Sequence, residues 1–371
     1  MKLYNATMDR FIKYISGKDV YIYGLGEYFQ VFQRWDIYKQ IHGSVAGLID
    51  NGRAGETISV LERKYLVRDT ESLKSIDNGV VLICSTKQID SMYQTLCEER
   101  LPDSIECFVL PLLWVVSTGK EDSDIKKLLH TFDKNSLKID KKIHCFWFSG
   151  EEKPKKYQSC IDTWEKICSE YEIVEWNADT YDCKKNRFVE QAYEKKKWAF
   201  VSDYARLDVL YQYGGVYLDM DVELVRPMDS LLQFDSFFGF NMLNNIDLGA
   251  GFGSIKGNPF LKELMELYRD KDFCDKDGTP MIWKYVQPEY IRSVFQKKGV
   301  RLDGSMQLID GMLILPRTYQ SPKDSFLLEQ YVRTKDTISV HHYNSEWCGE
   351  EYLAQREKRS SSWYEAAKNL I

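Results

Sequence analysis

The sequence predicts an α/β protein with two domains, and three observations lead to this prediction. The chain has 371 residues, which is enough for two domains of ordinary size. Hydrophobic residues make up 44% of the chain and aromatic residues 14%, so each domain can bury a large core. Short runs of β-forming residues alternate with amphipathic segments, a pattern typical of parallel strands joined by crossover helices.

Residues 1–118 predict the smaller domain, which we expect to be Rossmann-like and doubly wound. Its β-rich runs are separated by segments with helical spacing, and they read DVYIYGLG, SVAGLIDN, GVVLICS and ECFVLPL. The helical segments include VFQRWDIYKQI and IDSMYQTLCEERL. Residues 119–141 are charged and contain few β-formers, so we expect a linker there.

Residues 142–371 predict the second α/β domain. It opens with the strand IHCFWFSG, the amphipathic helix YQSCIDTWEKICSEY and the strand YEIVEW. The helix WAFVSDYARLDVLYQYGG follows and is closed by two glycines, one of them a good C-terminal cap. Later strands and helices alternate again, through FFGF, GFGSI, PFLKELMELYR and PEYIRSVFQKKG.

Composition narrows the class of protein. The formal net charge of -6 argues against a nucleic-acid-binding protein, which usually carries a basic excess. The nine cysteines are odd in number, scattered and without a CxxC pair, which predicts reduced thiols in a cytoplasmic protein. No signal-peptide-like stretch opens the sequence, and the longest apolar run, FVLPLLWVV, is too short to span a bilayer. We therefore expect any membrane contact to be peripheral.

The sequence GGVYLDMDVELVRP carries two carboxylates in an otherwise apolar strand. Asp219 and Asp221 are separated only by Met220, so in a strand they point to the same side. Two close carboxylates repel each other, and burying either one is costly without a positive partner. This pattern favours a divalent cation, Mn²⁺ or Mg²⁺, which prefers oxygen ligands. The alternative is an ordinary pair of carboxylates at the end of a strand.

A second pair of charged residues lies on the helix before that strand. Asp203 and Arg206 are three positions apart, so they share one helix face. Arginine offers a fork of donors suited to phosphate or sugar hydroxyls, and aspartate accepts hydrogen bonds from hydroxyls. A surface ion pair is the alternative, but the neighbouring residues are mostly apolar and leave little room for a solvated face.

The ordered motif W-x-x-x-S-D-x-x-R-x-x-x-L-x-x-x-G-G-x-Y-x-D-x-D resembles the DXD-type glycosyltransferases with a GT-A fold. Within these, the sequence is similar to glycosyltransferase family 32, which contains Och1-like mannosyltransferases and bacterial capsular polysaccharide transferases. The resemblance extends over residues 141–350 and includes the opening segment that begins with KKIHCFWFSG. It implies that residues 142–371 form a GT-A domain.

The resemblance also implies roles for individual residues. Trp147 would stack on the nucleotide base, and Asp203 and Arg206 would hold the transferred sugar. Asp219 would contact the ribose and, through water, the metal, and Asp221 would ligate the metal directly. In the segment HHYNSEW, His342 and Ser345 would complete the metal and diphosphate site, and Trp347 would donate its indole N–H to a phosphate. Without the family resemblance, the alternative interpretation is that His341 and His342 are a pair of partly buried strand histidines.

The implied activity is a metal-dependent, retaining transfer of a hexose from a nucleotide sugar, with UDP as the expected nucleotide. The acceptor would be a glycan or a lipid-linked saccharide in bacterial surface polysaccharide synthesis, with Mn²⁺ or Mg²⁺ as cofactor. Independent chemistry agrees, because a departing diphosphate is best stabilised by a cation and nearby donors. Asp247, in NNIDLGAGFG, is a further candidate for a sugar or acceptor contact, with a turn-forming role as its alternative.

The first domain allows a competing interpretation. YIYGLGEYF places Gly24 and Gly26 after a strand, and Asp50 ends the next strand, as in a dinucleotide-binding fingerprint. Phe29 stands where the third glycine is expected, which disfavours close approach of a pyrophosphate. An NAD-type oxidoreductase and a non-enzymatic sugar-binding protein therefore stay open beside the glycosyltransferase. For the first domain itself, docking of a partner and binding of some other nucleotide both stay open.

Overall fold

A computed structural model describes residues 1–330, 332–345, 348–357 and 363 of the chain. These residues divide into two compact units. The first comprises residues 1–117 with the described part of 351–371, and the second comprises residues 118–350. Both units combine helices with strands, which confirms the predicted α/β class.

The first unit is built on one sheet with the strand order β1-β7-β6-β2-β3-β5-β4. Neighbouring strands are parallel throughout, except that β4 pairs antiparallel with β5. The strands are β1 (Leu3–Tyr4), β2 (Val20–Tyr23), β3 (Val45–Ile49), β4 (Thr57–Val60), β5 (Arg63–Arg68), β6 (Gly79–Ile83) and β7 (Ile105–Val109). The helices are α1 (Met8–Tyr14), α2 (Glu27–Phe32), α3 (Asp36–Ile41), α4 (Ile89–Glu98) and α5 (Leu110–Val115). Strand β2 lies between β3 and β6, as in a doubly wound sheet.

Three segments of the first unit differ from the sequence prediction. The segment expected as one helix forms α2 and α3, and between them Trp35 turns inward and packs on Trp114 with ring centroids 5.6 Å apart. The run ECFVLPL is a strand only as far as Val109, where α5 begins with Pro111 in its first turn, a position that suits proline. The hairpin of β4 and β5 was not predicted.

The second unit contains a sheet with the order β14-β15-β12-β13-β10-β8-β9 and a small antiparallel pair, β11 with β16. Its strands are β8 (Lys142–Phe146), β9 (Glu172–Trp176), β10 (Gly215–Tyr217), β11 (Val222–Leu224), β12 (Ser236–Gly239), β13 (Phe252–Ser254), β14 (Gln307–Ile309), β15 (Met312–Leu315) and β16 (Ser339–His341). Its helices are α6 (Ser123–His130), α7 (Lys155–Ile167), α8 (Arg187–Glu194), α9 (Trp198–Tyr213), α10 (Pro259–Glu266), α11 (Gln287–Tyr290), α12 (Arg292–Lys297) and α13 (Arg317–Gln320). A last helix, α14 (Glu350–Glu357), begins where the second unit ends.

The predicted linker is not an extended connection. It contains α6, whose first turn is capped by the side chain of Asp122, and it belongs to the second unit. Ile125 and Leu129 of α6 are buried in the core of that unit. The charged face of an amphipathic helix accounts for the composition that predicted a linker.

Helix α9 carries Asp203 and Arg206, and it is the central helix of the second unit. Residues 203–210 are all buried, so no solvated face runs along this part of the helix. Gly214 ends the helix with φ of 69°, a left-handed conformation that a glycine adopts without strain. The chain then enters β10, which pairs in parallel with β8 and antiparallel with β13.

The nine cysteines are all free thiols. Across the described residues, no helix is both long and apolar enough to cross a membrane.

Candidate active site

The two aspartates of the DMD sequence lie in the turn that connects β10 with β11. The backbone N–H of Asp219 donates to the carbonyl of Gly249 at 3.2 Å, and Val222 donates back to the carbonyl of Asp219 at 3.0 Å. Strand β10 therefore ends before the aspartates, and hydrogen bonds rather than strand pairing fix their orientation.

Asp219, Asp221 and His341 form a candidate metal site. Each offers one ligand atom, and these atoms lie within 4.8 Å of one another. Asp221 and His341 are buried, whereas the side chain of Asp219 retains 28% exposure. Carboxylate oxygens suit Mn²⁺ and Mg²⁺, and an imidazole nitrogen is a common ligand of transition-metal ions. The donor set thus fits the predicted class of cation.

The histidine in this cluster is His341, whereas the sequence prediction named His342. Successive side chains of a strand point to opposite sides, so only one of the two can face the aspartates. The pairing of β16 with β11 sets Val222 opposite His341 and brings the Nε2 atom of His341 to 3.3 Å from Oδ1 of Asp221. The Nε2 atom of His342 instead lies 3.1 Å from Oε2 of Glu223.

Arg206 connects the helix pair with the aspartate turn. Its Nη2 atom lies 3.1 Å from Oδ1 of Asp203 and 3.5 Å from Oδ1 of Asp219. Its Nε donates to the carbonyl of Ser202 at 3.0 Å, and its guanidinium carbon lies 4.7 Å from the ring centroid of Tyr217. The structure therefore brings together the two pairs of charged residues that the sequence singled out.

The carboxylates of the site differ in the ease with which they ionise. Burial raises the pKa of Asp203 to about 7, against the opposing effect of Arg206, with Asp219 and Asp247 raising it further. Burial also raises the pKa of Asp219, and Arg206 partly offsets this effect. Burial acts in the same direction on Asp221, but His341 and the backbone N–H of Asn344 lower its pKa to about 2. Asp221 is thus the carboxylate best stabilised as an anion.

Asp247 lies on the far side of His341, with its Oδ2 atom 3.3 Å from Nδ1 of the imidazole. The same oxygen accepts a hydrogen bond from the hydroxyl of Tyr343 at 3.2 Å. Burial by itself would lower the pKa of His341, but Asp221 and Asp247 on its two sides raise it well above the ordinary range. The sequence pattern offered Asp247 only as a sugar contact or a turn residue.

Gly249 leaves the space that the site requires. A Cβ atom at this position would lie 2.5 Å from Oδ2 of Asp219 and 3.3 Å from Cε1 of His341. The first distance is too short for real atoms, so a side chain here would displace Asp219. This steric reason accounts for glycine in a loop that the sequence marked only as irregularly glycine-rich.

The segment after β16 closes around Asp221. The backbone N–H of His342 donates to the carbonyl of Asp221 at 3.0 Å, and that of Asn344 donates to its Oδ2 at 2.8 Å. The hydroxyl of Ser345, a predicted metal or diphosphate ligand, donates to the carbonyl of Tyr343 at 3.1 Å. Trp347, the predicted phosphate donor, lies outside the described residues.

Comparison with known families addresses the region that holds both charged pairs. Residues 154–238 match the family described as "Glycosyltransferase sugar-binding region containing DXD motif". This region is a DXD-type glycosyltransferase region. It includes Asp203, Arg206, Asp219 and Asp221, and the match confirms the resemblance to glycosyltransferase family 32.

Two curated relatives of this glycosyltransferase region come from Schizosaccharomyces pombe. Inositol phosphoceramide mannosyltransferase 3 is 30% identical over 146 residues, which cover 36% of this chain and 38% of the relative. Inositol phosphoceramide mannosyltransferase 1 is 29% identical over 111 residues, covering 27% of this chain and 33% of the relative. The matches thus span little more than a third of the length of these relatives.

Two solved structures also resemble this chain at low identity. The PaToxG glycosyltransferase matches with 19% identity and a TM-score of 0.34, over 47% of this chain and 74% of the other. A glycosyltransferase involved in glycosylation of the major capsid of PBCV-1 matches with 11% identity and a TM-score of 0.33, over 58% and 98%.

Trp147 lies at the same sheet edge as the DXD turn of the glycosyltransferase region. Trp147 follows β8, and the DXD turn follows β10. The two strands are parallel neighbours, so Trp147 and the turn both lie beyond the carboxyl ends of their strands. Ligands of α/β sheets commonly bind at such an edge. The indole is half-buried, its Nε1 donates to the carbonyl of Glu151 at 2.6 Å, and its ring lies 5.6 Å from that of Tyr157.

The dinucleotide-like motif of the first unit has a different arrangement. The Oδ2 atom of Asp50 accepts the backbone N–H of Leu25 at 2.9 Å, and its Oδ1 accepts that of Gly52 at 3.0 Å. Arg53 also donates to the carbonyl of Leu25, at 3.2 Å. The carboxylate that would hold a ribose in a dinucleotide fold thus connects the loops after β2 and β3.

A cavity of about 510 Å³ lies elsewhere in the second unit. Its lining includes Tyr171, Arg226, Asp229 and Asp336, and it shares no residue with the candidate metal site. Lys141 pairs with Asp229 at 2.7 Å and Lys126 pairs with Asp336 at 2.8 Å, so the two acids are already engaged.

Proposed function

We propose that the protein is a metal-dependent, retaining glycosyltransferase that moves a hexose from a nucleotide sugar, with UDP as the first candidate nucleotide. The main support is the convergence of Asp219, Asp221 and His341 beside the Asp203–Arg206 pair. Four of these five residues lie within the matched glycosyltransferase region, and His341 joins them from a distant part of the chain.

In this proposal a divalent cation neutralises the diphosphate that leaves the sugar. Asp221 and His341 would hold the cation from the buried side, and Asp219 from the more exposed side. Arg206 is oriented by Asp203, Asp219 and the carbonyl of Ser202, so its guanidinium is pre-positioned for sugar or phosphate oxygens. Asp203 would accept hydrogen bonds from sugar hydroxyls.

The acceptor is proposed as a glycan or a lipid-linked saccharide. The two curated relatives are named as mannosyltransferases for inositol phosphoceramide, which is a lipid acceptor in those proteins. These names favour the lipid-linked part of the proposal and add mannose to the donors worth testing. They do not support the bacterial surface polysaccharide setting that the family resemblance implied.

The alternatives are weaker on the residues themselves. An NAD-type oxidoreductase would need Asp50 free for a ribose, yet both of its carboxylate oxygens accept backbone N–H groups. A non-enzymatic sugar-binding protein could use the same cluster to bind a sugar, but it would release no nucleoside diphosphate from a donor when Mn²⁺ is added. A titration with UDP, UDP-sugars and NAD, with and without Mn²⁺, separates the three possibilities.

Donor hydrolysis and transfer provide the direct test. The full-length protein is incubated with a panel of UDP- and GDP-hexoses, with Mn²⁺ or with excess EDTA. We expect release of nucleoside diphosphate from at least one donor with Mn²⁺ and almost none with EDTA. Full activity in EDTA would contradict the metal-dependent mechanism. For the active donor, NMR of the product should show the anomeric configuration of the donor, and inversion would contradict the retaining mechanism.

A further inference from the structure

Both carboxylate oxygens of Asp247 have hydrogen-bond partners. Its Oδ1 accepts the backbone N–H groups of Gly249 at 3.0 Å and Ala250 at 3.3 Å. Its Oδ2 lies 3.2 Å from the hydroxyl of Tyr343 and 3.3 Å from Nδ1 of His341. The backbone N–H groups of Gly249 and Ala250 can only donate. An ionised carboxylate has one oxygen to accept from them and a second oxygen to accept from other donors. The side chain is 9% exposed, so water supplies little alternative.

The position of Asp247 determines which nitrogen of His341 is free for a metal. A neutral imidazole carries its proton on one nitrogen and a lone pair on the other. If Nδ1–H donates to Asp247, the lone pair is on Nε2, the atom that lies 3.3 Å from Oδ1 of Asp221. In metal sites a carboxylate on the second imidazole nitrogen commonly fixes both the tautomer and the ring orientation.

We propose that Asp247 is a positioning residue of the metal site, which holds His341 in the Nδ1–H tautomer and directs Nε2 to the cation. This inference rests on the metal site of the proposed function. It differs from the sequence prediction, in which Asp247 contacted a sugar or formed a turn. The backbone N–H groups of Gly249 and Ala250 hold Asp247 in place. This one loop therefore has two roles in the proposal: Gly249 leaves room for Asp219, and Asp247 orients His341.

The substitution Asp247→Asn tests this role, because the two side chains are almost equal in size. An asparagine has one acceptor oxygen, and the two fixed backbone N–H groups should retain it. Its NH₂ group then faces Nδ1 of His341, which must become an acceptor. The proton moves to Nε2, which loses its lone pair and its ability to ligate. The affinity for Mn²⁺ should fall by about 10- to 100-fold, the usual cost of removing such a partner.

The affinity for Mn²⁺ alone is measured on the full-length protein by electron paramagnetic resonance, without any donor. Asp208→Asn is the matched control, because Asp208 is also buried and accepts from Tyr181 at 3.0 Å, Gln212 at 2.8 Å and Lys185 at 2.6 Å, none of which belongs to the metal cluster. The control should bind Mn²⁺ like the wild type. Equal affinity in Asp247→Asn and the wild type would overturn the inference.

A double-mutant cycle separates positioning from general damage. If Asp247 acts through His341, Asp247→Asn should cause no further loss of Mn²⁺ affinity in a His341→Ala background. Additive losses would overturn the inference. If the wild type itself does not bind Mn²⁺, the proposed metal site fails as well, whereas an unchanged Asp247→Asn variant contradicts only the role of Asp247.

A measurement on the wild type needs no variant at Asp247. The chain has only five histidines, so their ¹⁵N NMR signals can be assigned, with His341 identified by its loss in His341→Ala. In the protein saturated with Mg²⁺, which is diamagnetic, we expect His341 to carry its proton on Nδ1. A proton on Nε2 under these conditions would overturn the inference.

Discussion

Both units place an aspartate just beyond the carboxyl end of a parallel strand, but the two carboxylates have different partners. In the first unit Asp50 follows β3, and its two oxygens accept backbone N–H groups of the adjacent loops. In the second unit Asp219 and Asp221 follow β10 and face His341 and Arg206, with Asp219 partly exposed. An acidic residue at this edge of a sheet can therefore stabilise a loop or bind a ligand, and the surrounding donors decide which.

The sharpest test of this comparison is to remove one carboxylate from each unit. Asp221→Ala should reduce turnover by about 10²- to 10³-fold, because a charge-stabilising element beside the leaving group is lost. Asp50→Ala should leave turnover near the wild-type value and lower the free energy of unfolding by about 1 kcal/mol, because the half-buried N–H of Leu25 and the exposed N–H of Gly52 lose their acceptor. Donor hydrolysis with Mn²⁺ and denaturant unfolding measure the two effects. The opposite pattern would show that the first unit carries the chemistry.

A second test concerns His144, a buried histidine whose partners are structural. Its Nε2 lies 3.0 Å from the carbonyl of Gly214, and Trp176 donates to its Nδ1 at 3.1 Å. Burial lowers the pKa of His144 from 6.5 to about 4. The unfolded chain therefore takes up a proton at a higher pH than the folded protein, so stability is full above pH 6.5 and falls as the pH drops towards 4. The loss approaches about 3 kcal/mol.

The measurement for His144 is the free energy of unfolding as a function of pH. Carboxylates also titrate in this range, so the slope of the wild type is compared with that of His144→Gln. The variant should lack the component between pH 6.5 and 4, whereas His130→Gln, at an exposed histidine, should keep most of it. Identical slopes in the wild type and His144→Gln would show that burial does not hold this histidine neutral.

The third test compares two adjacent histidines within the second unit. His341→Gln should reduce Mn²⁺-dependent turnover by roughly 10- to 100-fold, the range associated with a weakened metal site. His342→Gln should change it by less than about threefold, because His342 faces the half-exposed Glu223 in a pair of surface type. Turnover at several Mn²⁺ concentrations distinguishes the two variants. If His342→Gln is the more damaging change, the original assignment of His342 is right after all.

The difference between these histidines shows where sequence reasoning ends. The helix pair and the two aspartates could be singled out because each pair lies close together in the chain. Helical periodicity brought Asp203 and Arg206 together as expected, whereas the aspartates lie in a turn and not in the expected strand. Which of His341 and His342 faces Asp221 depends on the register of β11 with β16. That register is set by packing and not by any local pattern, so the segment HHYNSEW could not show that His341, and not the predicted His342, faces Asp221.

Asp247 is a second residue whose role could not be predicted from the sequence, because its partner is far away along the chain. It is 94 positions from His341 in the chain, and no spacing rule connects the two. The available signal was local: an aspartate two residues before Gly249, whose backbone N–H it accepts, is typical of a turn. That interpretation is correct for one carboxylate oxygen and does not address the other.

In the first unit, the hairpin of β4 and β5 was also missed by the sequence prediction. Half of the residues in its two strands are exposed, so no continuous apolar run marked them as strands.

The smallest expected effect concerns Trp147, which makes a structural hydrogen bond and also lies where a ligand could bind. Its indole N–H donates to the carbonyl of Glu151, as a structural group would, while its half-buried ring lies at the sheet edge that holds the DXD turn. If the ring stacks on the base, Trp147→Ala should weaken UDP binding by about 1–3 kcal/mol, and Trp147→Phe, which keeps an aromatic face, by less than about 1 kcal/mol. Both variants lose the bond to Glu151, so a purely structural role predicts a loss of stability in both, larger for alanine because it also removes the ring that lies beside Tyr157, and unchanged UDP affinity of the folded protein. Calorimetric titration with UDP and thermal unfolding of the same samples decide between these outcomes, because only stacking on the base separates alanine from phenylalanine in nucleotide affinity.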